Sequence, residues 1–132
     1  MNAIPDPKHA VAQQLRTFVE MIRSRDTRLI ETLWGDGKFV LVGSETGEIF
    51  RTLPELRAHL EAILSHAATF FFEFPAPVIE IVGTVAWVFA EGTLTRVEPG
   101  ADPLTSPYLV CCVFELTGGV WRWRQFFGSE PR

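Results

Sequence analysis

The chain has 132 residues, 47% of them apolar, with a formal net charge of -4. That length supports one domain with a single core, spanning 1-132, and a mildly acidic chain without a long basic run excludes a phosphate-tracking nucleic-acid binder. No apolar run is long enough to cross a bilayer, and Met1 to Pro7 lack the apolar stretch of a signal peptide.

In chain order, Pro5 and Pro7 predict a frayed start over 1-7. Val11, Leu15, Phe18, Val19 and Ile22 then recur at helical spacing and define an amphipathic helix. Asp26 can cap a second, short helix whose apolar residues Leu29, Ile30, Leu33 and Trp34 end at the stop signal Gly35-Asp36-Gly37. Lys38 to Val42 and Glu48 to Phe50 read as short strands around a Gly-rich turn. A third helix opens on the capping box Thr52-Leu53-Pro54-Glu55 and carries an apolar stripe of Leu56, Leu60, Ile63 and Leu64.

The second half is strand-rich. Thr69 to Phe74 predicts a buried strand with Phe70, Phe72 and Phe74 on one face, and Pro75 and Pro77 confine it to a bent or edge position. Val78 to Val82 and Val85 to Glu91 form a hairpin around Gly83-Thr84, whose leading glycine suits a type II′ turn. Composition predicts a mobile loop from Glu98 to Pro107. A second hairpin, Tyr108 to Leu116 and Trp121 to Phe127, turns at Gly118-Gly119; this register sets Leu116 against Trp121, Phe114 against Trp123, Cys112 against Gln125 and Glu115 against Arg122. Helices followed by antiparallel strands indicate an α+β fold, with helices on one face of a curved sheet.

Placing the bulky side chains inward predicts an apolar pocket lined by Phe18, Trp34, Phe72, Trp87, Phe89, Cys112, Phe114, Trp123 and Phe127. The competing reading is that these aromatics only fill a core. Glu91 shares a strand face with Trp87 and Phe89, so it is the candidate acid-base group; Glu80, opposite Trp87, is the weaker one. The outer face would then carry Ala86, Val88, Ala90, Cys111, Val113, Glu115, Arg122 and Arg124, a surface suited to a homodimer.

His9, His59 and His66 have no metal-ligand spacing, and no phosphate loop or nucleophile elbow occurs, so neither a metal nor a cofactor is expected. The adjacent Cys111 and Cys112 point to opposite faces of a strand and cannot pair without strain, which fits a reducing, cytoplasmic setting.

Three stretches, taken together in their order, carry a resemblance that covers nearly the whole chain. They are Arg51-Thr52-Leu53-Pro54-Glu55-Leu56, Val82-Gly83-Thr84-Val85-Ala86-Trp87 and the ending Trp121-Arg122-Trp123-Arg124-Gln125-Phe126-Phe127-Gly128-Ser129-Glu130-Pro131, downstream of Asp26 to Trp34 and its short hairpin. The chain resembles the nuclear transport factor 2-like superfamily, in its SnoaL-like and ketosteroid-isomerase-like branch. The resemblance implies a cone-shaped curved antiparallel sheet wrapped around three helices from the N-terminal half, a deep pocket between them, and dimerisation through the outer sheet face.

Function does not follow from that fold. In ketosteroid-isomerase-like members a tyrosine and an aspartic acid hold an oxyanion while an aspartate moves the proton. The matching positions here are Phe18, Cys112 and the Val40-Leu41 pair, none of which can do that work. Phe127 stands where related sequences carry a histidine. Three functions follow as expectations: a domain binding a small apolar ligand without ketosteroid-isomerase chemistry, a lyase or isomerase using Glu91, and a dimeric association module.

Overall fold

The computed structural model describes residues 6 to 131. Helix α1 (Pro7–Ser24) starts at Asp6, whose carboxylate accepts the Lys8 backbone N–H at 3.0 Å, with Pro7 in the first turn where its missing N–H costs nothing. The frayed start predicted for 1-7 therefore fails at Asp6 and Pro7, while residues 1 to 5 lie outside the described residues. Val11, Leu15, Phe18 and Ile22 form its buried stripe, as their spacing requires.

Helix α2 (Leu29–Trp34) is capped by Arg28 without a side-chain cap hydrogen bond, so Asp26 does not cap it as expected and instead organises the preceding turn. The Asp26 carboxylate accepts the Arg28 backbone N–H at 3.0 Å and its guanidinium at 2.7 Å. Strands β1 (Val40–Val42) and β2 (Ile49–Phe50) pair antiparallel, and helix α3 (Leu53–Leu64) begins on the full Thr52–Glu55 capping box. Between α1 and α3, Arg25 acts as a rivet. Its guanidinium donates to the carbonyls of Leu64 (2.9 Å), His66 (2.6 Å) and Ala68 (3.1 Å) and to Thr69 Oγ1 (3.0 Å).

The remaining strands are β3 (Thr69–Glu73), β4 (Val78–Val82), β5 (Val85–Val97), β6 (Leu104–Thr117) and β7 (Val120–Ser129). The sheet runs β2-β1-β7-β6-β5-β3, with β4 also on β5. It is mixed: β1 lies parallel to β7, and every other pair is antiparallel. β3 and β4 lie end to end along β5, opposite Thr93 to Val97 and Val85 to Phe89 respectively. They form one edge strand broken at Pro75 and Pro77, which lack the N–H a continuous ladder needs.

The loop predicted from Glu98 to Pro107 is shorter than its composition suggests. Leu104 to Pro107 already belong to β6, opposite Thr93 to Arg96. Pro107 is tolerated because β7 pairs only as far as Leu109, leaving its nitrogen on an open edge. In the last hairpin Leu116, Phe114 and Glu115 meet Trp121, Trp123 and Arg122, but a bulge at Val113/Phe114 then moves the register. Cys112 meets Phe126, and Gln125 meets Val113, contrary to the uninterrupted count.

The faces of β5 are the main correction to the sequence reading. Ala86, Val88 and Ala90 are buried against the helices, whereas Trp87, Phe89 and Glu91 are exposed on the outer face. Opposite residues on paired strands share a face, so Ala86 stands against inward Phe114, and Trp87 against Val113. The inner face takes its bulk from β6 and β7, where Phe114 and Trp123 pack with ring centroids 4.4 Å apart. A second row of large side chains on β5 would overfill a layer already occupied by the buried Phe114 and Trp123.

Candidate functional site

A cavity of about 200 Å³ opens where α1, α3 and the concave face of the sheet meet the β1–β2 turn. Its walls are Phe18 and Ile22 from α1, Leu60 and Ile63 from α3, Leu41 from β1, and Phe70, Phe72, Leu94 and Phe126 from the sheet. The α1 periodicity that buries Phe18 also places its ring at the junction of the site and the core. It lies 4.7 Å from Phe126, 5.8 Å from Trp123 and 5.9 Å from Phe72, centroid to centroid.

Polar groups gather along one side of this cavity. His59 comes from α3, next to Leu60, and stacks on Phe50 at 4.2 Å. Its Nδ1 lies 3.8 Å from Oε2 of Glu48, whose other oxygen accepts the Glu45 backbone N–H at 2.8 Å. Burial holds the His59 pKa below the ordinary imidazole value, more than the nearby Glu48 carboxylate raises it, which favours the neutral ring. A neutral imidazole, stacked on Phe50 and with a turn carboxylate nearby, thus borders the cavity.

The second polar group is Tyr108 from β6, 95% buried and edge-on to Phe72 at 5.0 Å. Burial, and then the nearby Glu130 carboxylate, push its pKa up to about 12. Arg96 donates to Glu130 Oε1 at 2.6 Å, and the Ser44 hydroxyl donates to the same oxygen at 3.5 Å. Gly128 makes room for the phenol. A Cβ at that position would run into the Tyr108 hydroxyl, although no positive φ requires glycine there.

Of the residues expected to line a pocket, Phe18 and Phe72 lie on this cavity. Cys112, Phe114 and Trp123 are core residues beside it, and Trp34 packs half-buried against that core. Trp87, Phe89 and Phe127 are turned outward, 44%, 40% and 42% exposed, because they follow the outward parity of β5 and β7. Glu91 accompanies Trp87 and Phe89 onto the exposed face, so it cannot act in the cavity; Glu80, opposite Trp87, shares that outer face. Burial raises the Cys112 thiol pKa strongly, leaving it an inert core residue.

The sequence reading missed His59, Glu48, Tyr108, Arg96 and Glu130. One signal was available. His59 stands three residues after Leu56 and four before Ile63, so it borders the apolar stripe of α3. The others come from separate elements and meet only through the fold. Among the described residues, no group of three or more His, Cys, Asp or Glu side chains is placed to hold a metal ion, and no helix is long and apolar enough to cross a membrane.

Comparison with solved structures identifies the same scaffold. A candidate dehydratase of the NTF2-like family from Streptomyces avermitilis matches with a TM-score of 0.82 at 15% identity, over 94% of this chain and 95% of that one. A candidate scytalone dehydratase from Novosphingobium aromaticivorans matches at 0.81 and 9% identity, over 95% and 84%. A candidate calcium/calmodulin-dependent protein kinase II association domain from Xanthomonas campestris matches at 0.79 and 14%, over 98% and 93%. These likenesses establish the NTF2-like, cystatin-like α+β fold and nothing finer. A search of curated proteins finds no match. The family model of the SnoaL-like domain matches residues 11–132, and the chain belongs to that family.

Proposed function

We propose that this SnoaL-like domain binds a small, mostly apolar molecule in its cavity, without ketosteroid-isomerase chemistry. The observation that carries the reading is one cavity of about 200 Å³ with aromatic and aliphatic walls and its polar side chains gathered along one side. A dry apolar cavity of roughly 150 Å³ already accepts benzene, so the space suits one substituted ring or a compact bicyclic. Titrating the labelled protein with one- and two-ring hydrocarbons should move the NMR signals of Phe18, Leu60 and Tyr108 saturably and raise the melting temperature. Unchanged spectra and melting across such a series would overturn the reading.

A second reading, an acid-base lyase or isomerase, is supported by the 3.8 Å approach of His59 to Glu48. It moves the proton-accepting role from the exposed Glu91 to His59, with Glu48 as the positioning residue. Two solved structures described as candidate dehydratases share the scaffold, which is compatible with this chemistry. In D₂O, protein with this activity would exchange the α-protons of a bound cyclic ketone, and His59→Asn would abolish the exchange. No exchange above buffer would remove this reading and leave simple binding.

Association through the outer sheet face is the third part of the proposal. Exposed Trp87, Phe89 and Phe127, beside Cys111 and Val113, supply an apolar surface that a second copy could cover. The free thiols of Cys111 and Cys112 support a reducing, cytoplasmic setting.

A further inference from the structure

We infer that the β1–β2 turn is a lid over the mouth of the cavity, and that Arg96, acting through Glu130, is the clasp that holds it against β5. The purpose of such a lid rests on the binding reading above; its mechanics do not. Three observations carry it.

First, the two lips of the mouth are built differently. Arg96 belongs to β5 and is paired on both flanks, with Phe70 of β3 and Leu104 of β6, so two ladders fix that lip. Across the mouth, Gly43, Ser44, Glu45 and Glu48 line the cavity from a turn at the edge of the sheet, where β1 and β2 share the pairs Leu41 with Phe50 and Val42 with Ile49. Glu45, Thr46 and Gly47 are exposed. A segment with so few buried contacts opens at a lower free energy than the sheet it hangs from.

Second, the turn is self-contained. The Gly43 N–H donates to the Glu48 carbonyl at 2.8 Å, and the Glu45 N–H donates to the Glu48 carboxylate at 2.8 Å. These bonds keep its shape while it swings. Its polar side chains reach the far lip and α3 through two long contacts, Ser44 to Glu130 at 3.5 Å and Glu48 to His59 at 3.8 Å, neither of them a strong bond.

Third, charge decides whether those weak contacts hold. Glu130 follows Ser129, the last laddered residue of β7, and its Oε1 accepts both the Arg96 guanidinium at 2.6 Å and the Ser44 hydroxyl. Glu45, Glu48 and Glu130 all line the mouth, and among the described lining residues Arg96 is the only cation beside them, His59 being neutral. With Arg96 in place, Glu130 is neutralised and the turn rests against it. Without Arg96, like charges on opposite lips drive the turn away.

The test places a thiol behind the lid, by Leu94→Cys in a Cys111→Ser background, and measures its alkylation by iodoacetamide. Leu94 lines the cavity and is 4% exposed, so the reagent must enter to reach that position. Arg96→Met should speed this labelling about fivefold, the order expected for one partly exposed ion pair. Adding Glu130→Gln should reverse most of the gain by removing the unpaired carboxylate. Cys112, a buried core residue outside the cavity lining, is the internal control and should stay unlabelled throughout. The association and dissociation rates of indane should rise by the same factor in Arg96→Met with Kd unchanged, because a lid alters passage in both directions whereas a wall residue alters affinity. Labelling unchanged by Arg96→Met, or accelerated equally at Cys112, overturns the clasp. A weaker Kd with an unchanged association rate makes Arg96 part of the wall and overturns it as well. If indane does not bind, the binding reading falls, and the labelling rates still decide the lid.

Discussion

Ala86 lies directly opposite Phe114 across the β5–β6 ladder, and both are completely buried on the concave face. The small residue exists because the large one, together with Trp123, occupies the layer above it. Ala86→Leu should therefore destabilise the domain by about 1 to 3 kcal/mol through overpacking, while Trp87→Ala, one residue along and facing outward, should cost much less in the monomer. Urea midpoints of the two variants check the inverted parity of β5. Equal losses would mean that Trp87 is part of the core.

The rivet at Arg25 makes a second prediction. It donates to three carbonyls near the end of α3 and to Thr69, from a backbone held at φ 59°. Charge-assisted bonds to partly buried carbonyls contribute more than neutral ones, so Arg25→Ala should lose about 2 kcal/mol or more. Arg25→Lys should recover little, because an ammonium cannot span the same fork of acceptors. Thermal melts of both variants against wild type decide this; a lysine variant equal to wild type would reduce the rivet to a simple charge effect.

His59 gives stability a defined pH dependence. Burial depresses its folded-state pKa below the unfolded value, so in the intervening pH window the unfolded chain binds more protons. Stability from this group is complete above the unfolded pKa and is lost as pH falls through the folded one. Acidification below about 6.5, the ordinary imidazole value, should lower wild-type stability more than that of His59→Phe, in which the stack on Phe50 is retained. Denaturation of the two proteins across that range, with NMR titration of the His59 ring, measures the difference. Parallel profiles would refute the assignment.

Dimerisation through the convex face, as proposed above, now rests on Trp87, Phe89 and Phe127 rather than on Ala86, Val88 and Ala90, which are buried. Arg124 is already committed within the protomer, to Asp36 at 2.7 Å and Glu115 at 2.8 Å, so it is a poor candidate for pairing across an interface. Trp87→Glu should convert a dimeric mass in light scattering to a monomeric one without changing the far-ultraviolet dichroism. A wild-type protein that is monomeric at tens of micromolar would end the proposal.

Ketosteroid isomerisation should be undetectable if the resemblance places the acid, base and oxyanion positions at Cys112, the Val40-Leu41 pair and Phe18, because all four side chains are unable to do that work and Phe18, Leu41 and Cys112 are buried. One oxyanion donor alone is worth roughly 3 to 4 kcal/mol in well-studied enzymes, and a general base adds about a hundredfold or more. Appearance of the conjugated enone in ultraviolet absorbance well above buffer would contradict this. Glu91→Gln should be neutral in every assay of the cavity.

The helices and their buried stripes were legible in the sequence, because Val11, Leu15, Phe18 and Ile22 repeat at helical spacing and Thr52 with Glu55 marks the entry to α3 by local hydrogen bonding alone. The hairpins were legible for the same reason: Gly83, with φ 59°, and the Gly118-Gly119 pair, with φ 57° and 78°, fix their turns locally. The face of β5 was not. Alternation reveals that Ala86, Val88 and Ala90 share one side and Trp87, Phe89 and Glu91 the other, but which side meets the helices depends on the volume delivered by β6, β7 and α1. The bulge at Val113/Phe114 was equally invisible, since it appears only where β7 must satisfy both β6 and the parallel β1. The site had the least local signature of all. Glu48, His59, Arg96, Tyr108 and Glu130 lie on the β1–β2 turn, α3, β5, β6 and the segment after β7, and only the curvature of the sheet brings them to one cavity.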